Sequence, residues 1–143
     1  MPRSPNHDRV VKAYRMALER ERKVGFAKLD SREQELVATL LMHEEIRNGG
    51  FSQWLTNSHS DYAEHAIRFL QRVGDQERLL LISAASTAFP SSKIPPTWQE
   101  RRACASEWTK GDFQKFAPID SAYYAIKRDI YDDMATLVSD TVS

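Results

Sequence analysis

Apolar residues recur at three- and four-residue spacing along most of the chain, and no stretch alternates with period two for long. The pattern therefore predicts helices throughout. The first is expected to open at Ser4 as N-cap with Pro5 at the first helical position, and to end near Gly25. Val10, Val11, Tyr14, Ala17 and Leu18 form its apolar face. The second is expected to begin at Ser31, with Gln34 closing a capping box and Leu29 as a hydrophobic staple, and to run to Arg47 or Asn48. Leu36, Val37, Ala38, Leu40, Leu41, Met42 and Ile46 cover most of its circumference, so it should be central.

Two adjacent glycines, Gly49 and Gly50, then stop the apolar run. The spacing predicts a helix C-cap, with Asn48 or the first glycine in the left-handed region and the second glycine turning the corner. A short helical turn in "SQWLTN" follows. Further helices are expected from Ser60 or Asp61 to Gly74, from Asp75 to just before Pro90, from Thr97 through Trp108, and from Asp120 or Ser121 to about Ser139. "PSSKIPP" and "TKGDFQKFAPI" read as loop and irregular chain. The whole, residues 1–143, reads as one all-α domain of about six helices. Its glycine corner lies between the second and third helices, residues 31–48 and 75–89 are central, and residues 1–5 are a flexible tail.

Composition narrows the function. The 143 residues carry 20 basic and 20 acidic side chains, so the basic excess of a nucleic-acid-binding module is missing. One cysteine, Cys104, allows no internal disulfide and points to a reducing, cytoplasmic compartment. The N-terminal stretch has no apolar core of a secretory signal, and the longest apolar run, "LLLISAAS", is too short to span a bilayer. A helix-turn-helix reader is disfavoured because "FSQWLTN" contains no Lys or Arg for phosphates or guanine.

The polar residues around the glycines carry the candidate chemistry. Glu44 and Glu45 project among the apolar positions of the second helix, and a buried carboxylate must find donors or become neutral. Asn48, Gln53, Trp54, Asn57 and the backbone N–H groups of the corner supply donors close by. One glutamate is therefore expected to lock the corner by hydrogen bonding. The competing reading is a catalytic acid or base with His43 beside it. His59, Asp61 and His65 make a thin metal set, with no fourth ligand. No phosphate-cradling glycine loop occurs. No cofactor and no metal are expected. Trp98, Arg101, Ala105 and Trp108 could share one face of their helix, in core or interface use.

The stretch "EIRNGGFSQWLTNSHSDYAEHAIRFLQRVGD" resembles the signature of the DNA-mimic protein family, small bacterial all-helical domains. The pattern falls on Glu45, Asn48, Gly49, Gly50, Phe51, Gln53, Trp54, Asn57, Ser58 and Gly74. "IDSAYYAIKRDIYDDMATLV" resembles the family's closing helix, and the similarity covers roughly residues 30–140. It implies a helical domain, open to homodimerisation, that binds a protein by presenting carboxylates in place of DNA phosphates. It implies no catalytic residues.

The charge for such a role is unevenly placed. On a continuous last helix, Asp129, Asp132, Asp133 and Asp140 would fall within about a 100° arc, opposite Ile126, Ile130, Met134 and Leu137. That acidic stripe would be about 16 Å long, where duplex DNA carries roughly ten charges. The expectation is a non-enzymatic protein-binding domain whose partner is another protein, a DNA-binding regulator in the mimic reading, with neither direct nucleic-acid nor membrane contact. The alternatives are an immunity-type protein neutralising a toxin and a hydrolytic enzyme using a buried glutamate.

Overall fold

The computed structural model describes residues 3–138, and every regular element among them is helical. Helix α1, His7–Val24, buries Val10, Tyr14 and Ala17 along one face. It starts two residues later than the sequence suggests: Asn6 stands at the N-cap, while Ser4 donates its hydroxyl to Asp132 across the fold. A 3-10 turn at Phe26–Lys28 leads to α2, Ser31–Thr56. The capping box sits one residue earlier than expected. The Asp30 carboxylate accepts the Glu33 N–H at 2.8 Å, and the Glu33 carboxylate accepts the Asp30 N–H at 3.2 Å. An aspartate is as good a cap as serine and adds negative charge at the positive helix end.

Helix α2 is the central element; α1, α3 (Ala63–Val73) and α7 (Phe116–Tyr124) all pack on it. Leu36, Val37, Ala38, Leu40, Leu41, Met42 and Ile46 are all buried, as their all-round distribution requires. Helix α4, Gln76–Ser86, is peripheral instead. It buries Arg78, Ile82, Ala85 and Ser86, while Leu80 remains 68% exposed. The sequence misleads here because a continuous apolar run does not say how many neighbours a helix will have.

The expected second helix does not stop at Arg47 or Asn48. Its first limb runs one or two residues further, to Gly49; the backbone leaves helical geometry at Gly50, and the helical turn expected in "SQWLTN" follows as a second limb, residues 51–56, so the glycine corner is an elbow between the two limbs of α2. The C-terminal third is divided more finely than its periodicity implies. Helix α5, Trp98–Ala105, ends before Trp108, and the stretch expected to be irregular holds α6, Lys110–Gln114, closed by a Thr109–Asp112 capping box. The expected last helix breaks into α7 and α8 (Ile130–Met134), separated by residues 125–129, with a 3-10 turn at Ala135–Leu137. Asp129 causes the restart: its carboxylate accepts the Tyr131 N–H at 2.8 Å, which fixes it as an N-cap outside the helix. No helix among the described residues is long and apolar enough to cross a membrane.

Candidate functional site

The elbow is built by two glycines, each making room for a different side chain. Gly50 has φ 81° and ψ −179°, a conformation open to glycine alone. A Cβ there would also collide with the Asp120 carboxylate. Gly49 stays helical, contrary to the left-handed cap expected of it, and a Cβ on it would strike the Gln53 side-chain carbonyl. Gly50 is thus required by the bend, and Gly49 gives the Gln53 amide its present place against the helix.

Breaking the helical ladder at Gly50 frees the Phe51 N–H, which donates to Asp120 Oδ1 at 2.8 Å. Asp120 thus serves the second limb of α2 as an N-cap supplied from α7. Burial pushes its carboxyl above the ordinary range, and the Phe51 N–H offsets this in part. The far end of the limb is capped by cationic and aromatic donors. The fully buried Arg101 guanidinium donates from Nε to the Leu55 carbonyl at 2.9 Å, and from Nη2 to the Asn57 carbonyl at 3.0 Å. It also reaches the Pro95 carbonyl at 3.0 Å and Asp61 at 2.5 Å. The Trp98 indole donates to the Thr56 carbonyl at 2.9 Å. A carboxylate at the positive end and a guanidinium at the negative end both oppose the limb's dipole.

Outside the bend, Glu45 holds the surface together. Its Oε2 accepts from Gln53 Nε2 at 2.9 Å and from Asn57 Nδ2 at 2.6 Å. Gln53 in turn accepts from Asn48 Nδ2 at 3.4 Å. The His59 Nδ1 stands 3.6 Å from Glu45 Oε1, beyond hydrogen-bond reach. The Glu45 side chain is only 15% exposed and half-buried against the amides it binds, while the half-buried Asp120 serves the backbone of the bend itself. Glu44 is exposed, near the Tyr14 hydroxyl; partial burial raises its pKa and Tyr14 counters the rise. Glu44, Glu45, Arg47, Asn48, Gln53 and Tyr131 line an open depression of about 560 Å³. Phe51 and Trp54 instead face inward, edge-to-face with centroids 6.2 Å apart, within the core.

Behind the elbow runs a buried polar chain. His43 Nδ1 and the Tyr123 hydroxyl are 2.7 Å apart, the Arg78 guanidinium lies 5.2 Å over the Tyr123 ring, and Asp75 takes Arg78 Nη1 at 2.6 Å. Burial, with the Arg78 and Arg47 cations nearby, lowers His43 to about 3, so the imidazole is neutral throughout the physiological range. Its Nδ1 is held by Tyr123, and His43 also lines the depression beside Glu44 and Glu45. The three residues weighed as metal ligands go separate ways. Asp61 pairs with Arg101, His65 lies edge-on to Phe26 at 5.1 Å, and His59 stays beside Glu45.

Among the described residues, the continuous helix expected to carry the acidic stripe is broken between α7 and α8. Asp129 caps α8, Asp132 accepts from Ser4 and Asn6, and Asp133 takes Arg128 through both oxygens at 2.8 and 3.0 Å. Asp140 lies outside the described residues. Sequence reading missed Asp120 and Arg101 as the two caps of the elbow. The available signal was a single acid inside the apolar run "FAPIDSAYYAI", which seldom stands there without a donor.

Residues 27–140 match the model of the family described as DMP19-like protein. No curated protein and no solved structure matches the chain.

Proposed function

The chain belongs to the DMP19-like protein family, a family of DNA mimics, and on that premise we propose that it acts by binding another protein, a DNA-binding one, without catalysis. The observation that carries this reading is a charge split hidden in the zero net charge. The matched residues 27–140 contain thirteen Lys and Arg against seventeen Asp and Glu, a net of −4. Residues 1–26 contain seven against three, a net of +4. The family region is thus acidic when taken alone, as a surface that replaces phosphates must be.

The proposed contact face is the outer side of the elbow. Glu44, Glu45, Asn48, Gln53 and Asn57 gather carboxylates and amides there on a bent helix whose two caps and close-packed glycines fix its shape. Pre-organised polar groups cost less to order on binding than groups on a mobile loop. The chain of amides holding Glu45 gathers on Oε2, and among the described residues Oε1 has the His59 imidazole at 3.6 Å.

The test is capture on the immobilised protein from an extract of the cells that make it, followed by release with duplex DNA. The mimic reading expects a captured DNA-binding protein that duplex DNA displaces and that weakens steeply as salt rises. Retention of one effector that DNA does not displace would support the immunity-type role instead.

A further inference from the structure

The family match begins at residue 27, just past α1, and residues 1–26, most of them in α1, carry the charge that cancels the acidic body. Val10, Tyr14 and Ala17 fasten it to the fold, and its polar contacts reach toward acids of the body. Arg20 pairs with Glu33 at 3.1 Å, Ser4 and Asn6 just before the helix bond Asp132, and Tyr14 with Arg15 faces Glu44 at the elbow depression. Two acids near its solvent side have cations of their own, Asp8 with Arg3 at 3.7 Å and Glu19 with Lys23 at 3.4 Å. Lys12, Arg15 and Arg22 project into solvent without an ion pair among the described residues.

We propose that α1 is a built-in counter-charge: its exposed cations damp the acidic field beside the elbow and confine a cationic partner to the body, away from the α1 face. This rests on the reading of the elbow as the partner surface. The physical cause is range. The Debye length at physiological salt is about 8 Å, so Arg15 beside Glu44 and Lys12 one turn away are felt at the depression, while Arg22, about 10 Å further along the helix, is felt there chiefly at low salt. Arg15 acts on Glu44 directly. A partner bearing Lys and Arg meets attraction at Glu44 and Glu45, where Arg47 is the one cation lining the depression among the described residues, and repulsion over Lys12, Arg15 and Arg22.

The test compares two variants of equal net charge in the full chain. One replaces Lys12, Arg15 and Arg22 by Gln; the other replaces Lys93, Lys110 and Lys127, exposed cations of the body, by Gln. Glutamine is a good helix former, and none of the three α1 side chains is buried, so folding should be kept. Circular dichroism checks this. The probe is a fluorescent octa-arginine peptide, followed by anisotropy at low and physiological salt. It reports the field whether or not the natural partner binds DNA, so its outcome is separate from the DNA-competition result. The proposal expects the α1 variant to bind the peptide about tenfold tighter than wild type at low salt. The body variant should gain about threefold or less, and both gains should shrink as salt rises. Equal gains in the two variants, or no gain in the α1 variant, would overturn it.

Discussion

The elbow of α2 and the chain from Ala125 to Val138 both spend acidic side chains on backbone N–H groups, at very different range. In the elbow, Asp120 caps a helix limb 69 residues away, and Arg101 reaches back more than forty. In the C-terminal segment, Asp129 caps a residue two positions on and Asp133 pairs with Arg128 five positions back, while its long-range ties run through other groups, Asp132 with Ser4 and Asn6 and Arg128 with the Val73 and Gly74 carbonyls. Long-range caps weld separate elements, so losing one should disturb the fold; local caps shape a turn and leave the rest standing. The elbow can therefore present a rigid polar surface, whereas the segment's aspartates are tied up before they can form a row of DNA-like charges.

The sharpest way to break this comparison is Arg101→Met. It removes the guanidinium from the Leu55, Asn57 and Pro95 carbonyls and from Asp61, leaving the Leu55 and Asn57 carbonyls to Ser60, and equilibrium denaturation should show a loss of about 4 kcal/mol. Gly50→Ala should follow at about 3 kcal/mol, from a positive φ and a clash with Asp120 together. If Gly50→Ala unfolds no more easily than wild type, the elbow is not held as described.

Acid pH tests the core behind the elbow. His43 is neutral in the fold down to about 3 but takes a proton near 6.5 when unfolded. The unfolded chain then binds more protons between those values, so stability is full above about 6.5 and drains as pH falls toward 3. The slope from this residue is at most about 1.4 kcal/mol per pH unit. His43→Gln should flatten that part of a stability-versus-pH curve. Asp120 and Glu44 have raised carboxyls and work in the opposite direction, favouring the fold as pH drops through the acidic range.

Smaller effects separate hydrogen bond from charge. Asp120→Ala should cost about 1–2 kcal/mol, the usual loss of an N-cap, whereas Asp120→Asn keeps an acceptor for Phe51, sheds a buried charge and should cost close to nothing. Asp129→Ala should cost about 1 kcal/mol in thermal melts and leave the elbow's near-ultraviolet signal from Trp54 and Trp98 unchanged. A larger loss from Asp129→Ala than from Asp120→Ala would reverse the ranking of the two regions.

How much of this was legible follows the same division of range. The all-α class, the central position of the first limb of α2 and the bend at the glycine pair come from local periodicity and local turn chemistry. So does a glutamate gathering the amides of Gln53 and Asn57. What escaped was decided across the chain. Whether α2 ends or bends at Gly50 depends on Asp120 arriving from α7, which nothing within the first sixty residues announces. Ile126, Ile130, Met134 and Leu137 keep helical spacing across the break at residues 125–129, so their pattern implies one continuous final helix. Spacing records which side chains face inward, and a short turn between two helices can preserve it.

The most direct measurement is a nitrogen-15 NMR titration of the protein with the partner captured on it, following the side-chain amides of Asn48, Gln53 and Asn57. The account predicts that these signals shift or broaden together, ahead of those from α1 and residues 125–138, and return when duplex DNA is added. Amides that stay in place while α1 or the C-terminal segment responds would contradict it.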